Sequence, residues 1–577
     1  MSWLLFLIPL VSLSLLIMFS WRRWPQPYFA LVVLAPLPAL LLALFAPDLS
    51  LEIPWLLFGV EWQLNDISRA LLAMTAGLWF VAGLFAYHYL ASDKAQQSFT
   101  LFWLITMLGN LVLIVAQDIG SFYTGFAIMT FAGYGLVVHS ASVEAKHAGR
   151  VYLVMAVIGE ILILAGLLMA MPLVDQLLLR ELPVAIAESD HSLLISSLLL
   201  AGFGVKAGLL GMHLWLPLAH PVAPTPASAV LSGAMIKAGL LAWLQVLPAG
   251  EDAAIAFYSA GFAWVVISLG FGAAFGAAVV GVLQTQSKAV LAYSSISQMG
   301  LMTILLGVAL LEPSSWPLLL TAIVVYMVHH GLAKGTLFLT VGLAQYPGRW
   351  PRWLVMLIAL LPALALMGAP LSSGAGAKLL MKEQLYDIPS VAFLIPFITL
   401  AAVATGVLMA RFLWLLWHTQ GKTKDLPSIR WACLLSLLSI LLAFWWLPLP
   451  ATPQFLAALE TSALIDALWP MLLTAMLSLF AFWASTRMAF QPKLPAGDLI
   501  WPITALLQRL ARLYPTFEQR IIATHGKVQD GLTKQAKALQ SSASTLFNQR
   551  LNEAFLQRHI ALWMSLLVLL LSLLIIF

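Results

Sequence analysis

The chain has 577 residues, 62% of them hydrophobic and 9% charged, with a net charge of +5, whereas about a quarter of an ordinary soluble domain is charged. That balance excludes a soluble globular enzyme, a disordered tail and a secreted disulfide scaffold, and leaves a polytopic membrane protein. The one cysteine, Cys433, excludes an internal disulfide or a cysteine metal cluster, and with no long basic run no nucleic-acid partner is expected.

A spanning helix needs about 20 mostly apolar residues. In chain order such runs occupy 2–20, 27–46, 67–90, 99–117, 118–139, 150–171, 192–215, 224–248, 255–282, 289–310, 317–345, 353–384, 391–417, 431–449, 466–488 and 559–577, about 16 in all. The run 353–384 is long and holds Pro370, Gly374 and Gly376, so it reads as a broken helix. No basic residue precedes the first run, and Arg22 and Arg23 follow it, which is unlike a signal peptide. The loops alternate in sign. Arg22/Arg23, Lys94, Lys146/Arg150, Lys288, Arg349/Arg352 and Lys422/Lys424/Arg430 fall on one side. Asp48/Glu52/Glu61, Glu181/Glu188/Asp190, Glu251/Asp252, Glu312, Asp387 and Glu460 fall on the other. The positive-inside rule makes the first side cytoplasmic and puts both termini outside. The stretch 493–558 is rich in Lys, Arg and Gln, with Val528, Leu532, Leu539, Leu546 and Leu551 along one face. It reads as a long amphipathic helix on the cytoplasmic membrane surface, broken near Pro515 and Gly526.

A charge at mid-bilayer costs at least about 2.5–3.5 kcal/mol, so each one needs a reason. The candidates are Glu160, Lys206, Lys237, His330, Lys334, Lys378 and the Lys382/Glu383 pair. His330 and Lys334 lie four apart, on one helix face. Burial readily lowers the pKa of a lysine, so a line of buried lysines is able to take and release protons. Lys288 and Lys382 lie toward span ends, and the bland reading, snorkelling to the headgroups, is favoured for both. His213 and His220 flank a proline-rich turn and line a polar helix break. No histidine–acid spacing forms a metal site.

Several segments resemble one family. They are Lys206-Ala-Gly-Leu-Leu-Gly-Met-His213 through His220-Pro-Val-Ala-Pro-Thr-Pro to Met235-Ile-Lys237, then Leu291-Ala-Tyr-Ser-Ser-Ile-Ser-Gln-Met-Gly300 and His330-Gly-Leu-Ala-Lys334-Gly. Asp66-Ile-Ser, Asp118-Ile-Gly-Ser-Phe-Tyr and Gly368-Ala-Pro-Leu-Ser-Ser-Gly before Lys378 join them. Together, over roughly residues 60–385, they are similar to the antiporter-like membrane subunits of complex I (the L, M and N type), of Mrp antiporters and of energy-converting hydrogenases. The resemblance implies an all-α polytopic fold. Spans 1–3 fall in 1–98, and two inverted five-helix repeats with broken helices lie in 99–248 and 255–417. Spans 14–15 lie in 431–488, followed by a lateral helix in 493–558 and a final anchor in 559–577. It also implies a proton path in which Lys206 serves the first half, Lys237 is the central relay, and His330 and Lys334 hand protons to Lys378.

The chain departs from this family in its acids. The family's span-5 glutamate, partner of the span-7 lysine, falls at Ala127 here, and Glu160 is the only clear mid-span acid of the first half. The acids usual before Ala219 and in the span 9–10 loop are Leu218 and Gln286. The expected function is proton translocation within a multi-subunit membrane complex of the cell membrane, coupled to redox or cation-exchange chemistry in partner subunits. The alternatives are an Mrp-type cation/proton antiporter subunit, a proton-coupled inorganic-carbon uptake subunit, and a structural arm subunit whose first half no longer conducts. The expected partners are lipid, other membrane subunits and a soluble redox or carbon-uptake module. No catalytic residue, cofactor or metal site is expected in this chain. A proton-pumping role in a quinone oxidoreductase or hydrogenase would leave the redox chemistry to those partners.

Overall fold

In hydrocarbon a backbone must satisfy its own hydrogen bonds, which leaves apolar runs of this length the helix as their conformation. A computed structural model describes residues 1–20, 28–250, 260–370, 372–422, 424–446, 457–458, 460–487, 494 and 496–497. The expected lateral helix at 493–558 (apart from 494 and 496–497), the anchor at 559–577, Arg22/Arg23 and Glu251/Asp252 lie outside the described residues. The chain divides into two units. The first comprises Met1–Pro54 with Gly59–Asp498, and the second Trp55–Phe58 with Leu499–Phe577. All elements below belong to the first.

Helices α1 (Leu7–Ser20), α2 (Tyr28–Leu34) and α3 (Leu37–Phe45) lead to a short antiparallel hairpin of β1 (Leu49–Ile53) and β2 (Val60–Leu64). Then come α4 (Asp66–Tyr89), α5 (Gln96–Val115), α6 (Ile119–Val137), α7 (Val143–Ala170), the short α8 (Leu182–Glu188) and α9 (Ser192–Ala207). After a break follow α10 (Trp215–Val222), α11 (Thr225–Val230), a π-helical turn (Leu231–Met235) and α12 (Ile236–Val246). The second half holds α13 (Ala260–Phe271), a π turn (Gly272–Gly276), α14 (Ala277–Val282), α15 (Ser287–Leu311) and α16 (Trp316–Gln345). It continues through α17 (Arg352–Met367), α18 (Ser373–Tyr386) and α19 (Ile395–Trp417) to α20 (Pro427–Trp446) and α21 (Thr461–Arg487).

Among the described residues, 11 helical stretches are long and apolar enough to cross a membrane. The sequence reading expected about 16, and the difference has identifiable causes. The runs 192–215 and 353–384 are interrupted, leaving the shorter apolar helices Ser192–Ala207 and Arg352–Met367. The run 431–449 keeps an apolar core of Pro427–Leu442, and α6 carries more glycine, serine and threonine than its neighbours. The last run is outside the described residues.

Caps tie the helix starts to their surroundings. Asn65 and Ser68 form a reciprocal capping box at α4. The Asp118 carboxylate caps α6 by accepting the Ser121 amide at 2.6 Å and also accepts the Glu61 amide of β2 at 3.0 Å. The Asp118-Ile-Gly-Ser segment is thus an anchor between hairpin and helix. Both central breaks end on a left-handed glycine, Gly208 after α9 with φ 77° and Gly368 after α17 with φ 84°.

Small residues bring the backbones together, as they do in membrane bundles generally. A Cβ on Gly109 of α5 would lie 2.5 Å from the Gly125 carbonyl oxygen of α6. A Cβ on Gly300 of α15 would lie 2.5 Å from the Gly270 carbonyl oxygen of α13. The same close contact therefore joins the first two helices of each expected five-helix repeat. Gly109→Leu is expected to force α5 and α6 apart at a cost of about 1–3 kcal/mol. It should lower the thermal midpoint of the detergent-solubilised protein, whereas the same change at Gly276, where a Cβ would meet nothing within 4 Å, should leave it in place.

Candidate functional site

Five lysines, Lys206, Lys237, Lys288, Lys334 and Lys378, are buried, together with Glu160, His213, His220, His329 and His330. A buried ammonium has to be hydrogen-bonded, and interrupted helices supply the acceptor for Lys237, Lys378 and Lys288. The Lys237 Nζ donates at 2.7 Å to the carbonyl of Ser232, inside the π turn that precedes α12. The Lys378 Nζ donates at 2.9 Å to Met367 O, where α17 stops. The Lys288 Nζ donates at 2.7 Å to Ala223 O, between α10 and α11. The Lys334 Nζ donates at 2.9 Å to Leu291 O of α15.

Lys206 is held differently. It sits in the last turn of α9, and its Nζ donates to the Tyr152 hydroxyl at 3.1 Å. It also lies over the rings of Tyr152 and Trp215 at 5.4 and 5.5 Å from their centroids. The Tyr152 hydroxyl in turn donates to Thr130 O at 2.6 Å, and the Trp215 indole is pinned to Val205 O at 2.7 Å. A cavity with ≈ 10 Å³ of water-accessible space is lined by both Lys206 and Glu160. The two charges act on each other. Tyr123 and Thr130 stand beside Glu160, but neither carboxylate oxygen has a partner at hydrogen-bond geometry among the described residues. The acid missing at Ala127 thus has a counterpart on the neighbouring helix α7, facing the same lysine.

The remaining groups run from the end of the first half into the second. His330 feels the charges of Lys237, Lys334 and His329, and His329 those of Lys378 and Lys237. His329 Nδ1 meets the Ser373 hydroxyl at 2.8 Å, at the start of α18. His220 stacks on Phe338 at 4.6 Å between centroids and feels Lys288 and Lys334. Both ring nitrogens of His220 and of His330 lack a hydrogen-bond partner among the described residues. His213 is buried at the first break, where its Nδ1 accepts the Gly211 amide at 3.3 Å.

The structure differs from the sequence reading at Lys288, which does not snorkel. Only 9% of it is exposed, because the Ala223 carbonyl released by the α10–α11 break draws it inward. Lys382 is half-buried and feels Asp466 of α21. Sequence reasoning also passes over His329, although it adjoins His330. A helix face is judged by i, i+4 spacing, which pairs His330 with Lys334 and hides a second histidine pointing toward α18. Tyr152 and Trp215 carry no signal beyond being aromatic residues in apolar runs.

A helical bundle of apolar spans with buried basic groups defines a polytopic membrane protein. Comparison with known proteins agrees. The family described as NADH:quinone oxidoreductase/Mrp antiporter, TM, matches residues 116–405, half of the chain. The chain belongs to this family. It is 28% identical over 316 residues to hydrogenase-4 component B of Escherichia coli (strain K12), covering 52% of this chain and 45% of that protein. It is 24% identical over 399 residues to a Na(+)/H(+) antiporter subunit of Alkalihalophilus pseudofirmus, covering 65% of this chain and 76% of that one. The match thus spans less than half the length of the hydrogenase component. Among solved structures, a chain of the Mrp complex from Dietzia sp. DQ12-45-1b superposes with a TM-score of 0.74 at 19% identity, over 94% of this chain and 62% of that one. A chain of the membrane-bound sulfane sulfur reductase, an archaeal respiratory membrane complex, gives 0.65 at 19% identity, over 94% and 99%. At these identities the likeness is one of fold.

If Glu160 and Lys206 act as a pair, their substitutions are non-additive. Glu160→Gln and Lys206→Gln are expected to show a coupling of about 0.5–3 kcal/mol in a double-mutant cycle read by thermal unfolding in detergent. Simple additivity would separate them.

Proposed function

We propose that this chain carries protons across the membrane as the antiporter-like subunit of a multi-subunit complex related to respiratory complex I. The observation that carries this reading is the row of buried groups: Glu160 and Lys206 on one cavity, Lys237 at the π turn, His329, His330 and Lys334 on α16, and Lys378 reaching the end of α17. A lysine held by a carbonyl oxygen rather than a carboxylate is able to lose its proton without stranding an opposite charge. Such intramembrane groups mark proton relays.

The family, and the complexes to which the similar proteins belong, support membrane partner subunits and a bacterial plasma membrane as the setting. Any redox cofactor belongs in a partner on this reading. An Mrp-type exchanger is the second reading, favoured by the match to the Alkalihalophilus pseudofirmus antiporter protein over 76% of its length. Glu160 beside Lys206 argues against a purely structural arm subunit.

The test is pH-gradient formation by the intact complex in proteoliposomes. Lys237→Ala is expected to abolish the gradient while the complex still assembles, and full retention would exclude Lys237 as an essential relay. Mass spectrometry of what copurifies with this chain from native membranes separates the two readings. Iron–sulfur subunits support the first, and small antiporter subunits the second.

A further inference from the structure

A water-accessible vestibule of ≈ 620 Å³ opens beside the α10–α11 break, lined among others by Tyr89, Asp93, His139, Thr285, Lys288 and His418. The same face carries Lys94, Arg349, Lys422 and Lys424 and is the cytoplasmic one by the positive-inside rule. Asp93 lies in the α4–α5 connection and His139 just beyond α6. His139 Nε2 and Asp93 Oδ2 are 2.9 Å apart, with the histidine side chain 5% and the aspartate 33% exposed. The other Asp93 oxygen accepts the Ala95 amide at 2.8 Å, and Phe99 packs edge-on against the imidazole at 5.2 Å. Burial pushes the Asp93 carboxyl up, but the hydrogen bonds from His139 and Ala95 and the His139 charge outweigh it and hold the group below the ordinary carboxylate range. The pair is thus a carboxylate clamping an imidazole.

Lys288 lines the same vestibule, with its Nζ turned to Ala223 O. His220, three residues before Ala223, stacks on Phe338 of α16, the helix that carries Lys334, and acts electrostatically with both Lys288 and Lys334. Lys206 contributes no lining to the vestibule and has its own cavity with Glu160.

We propose that the Asp93–His139 pair collects protons at the mouth of this vestibule, and that Lys288 and then His220 load Lys334 from the cytoplasmic side without passage through Lys206. His139 takes a proton from water and releases it into the vestibule. The Lys288 amine accepts it and yields it to a ring nitrogen of His220, which yields it to the Lys334 amine, so each carrier returns to its starting state. The charged and titratable groups around His139 are Asp93 beside it and Tyr89, Lys288 and His418 across the vestibule. This inference rests on the proton-carrier reading above.

The test uses the intact complex in proteoliposomes, with pH-gradient formation followed across cytoplasmic-side pH. His139→Phe is expected to slow it ~10-fold or more at alkaline pH, where protons are scarce, and less at acidic pH, so that the profile changes shape. Asp93→Asn is expected to change the profile in the same direction as His139→Phe, and Lys288→Ala should slow transport at every pH. Thr285→Cys should react with an impermeant cationic thiol reagent from the cytoplasmic side only and lose transport when labelled. Native Cys433 is buried and gives the low background needed. An unchanged profile in His139→Phe, or a Thr285→Cys that is unreactive from that side while the wild type pumps, overturns the proposal and leaves the proton-carrier reading standing. A wild-type complex that forms no gradient removes both. Should His139→Phe fail to assemble, the Lys288→Ala rate and the thiol labelling decide.

Discussion

A lysine ammonium in a hydrocarbon layer has to be met by an acceptor, and the rest of this structure depends on how that demand is answered. A carbonyl oxygen inside a continuous helix already accepts an amide, and at three of the lysines the chain stops or loosens a helix to offer a freer one. The π turn at Leu231–Met235 serves Lys237, the end of α17 serves Lys378, and the gap between α10 and α11 serves Lys288. Such irregular backbone is tolerated at membrane depth only where protein or a polar cavity lines it. The glycines that bring α5 to α6 and α13 to α15 provide the surrounding protein. A carbonyl oxygen stabilises an ammonium less than a carboxylate does. It also leaves no bare anion when the proton departs, and this asymmetry suits a relay better than a structural ion pair.

Lys334 meets Leu291 O inside the unbroken α15, and Lys206 departs further from the pattern. It has a tyrosine hydroxyl, two aromatic faces and an acid sharing its cavity. The acid stands on α7 rather than at Ala127 of α6. Moving a carboxylate between adjacent helices keeps the charge relation while changing the scaffold that carries it. The first half of the chain therefore keeps an acid and a lysine on one cavity, although Ala127 stands where the family's acid falls. Among the described residues the central buried groups of the second half include no acid, and histidines stand between its lysines.

Much of the fold is legible in the sequence, because long apolar runs and charge alternation report directly on membrane depth. The breaks at Gly208 and Gly368 are legible in part, since glycine and proline interrupt helices by their own geometry. Lys206, Lys237, Lys334 and Lys378 stand out because a cation inside an apolar run is costly. Lys288 reads wrongly as a headgroup anchor. Distance from a span end is a one-dimensional measure, and the carbonyl that captures Lys288 comes from residue 223, 65 positions earlier. The Asp93–His139 pair is hidden for the same reason, its partners being 46 residues apart in loops that read as merely polar. Glu160 emerges by elimination as the only clear mid-span acid of its half, and only the structure shows it sharing a cavity with Lys206.

A proton relay needs a lysine that titrates rather than one that merely carries charge, and Lys237→Arg separates the two. An arginine keeps the positive charge at the π turn but does not release its proton in a protein. In proteoliposomes of the intact complex, Lys237→Arg is predicted to assemble normally and to form no pH gradient. A gradient formed at the wild-type rate would mean that the central position needs a fixed charge and carries no proton, and it would contradict the relay.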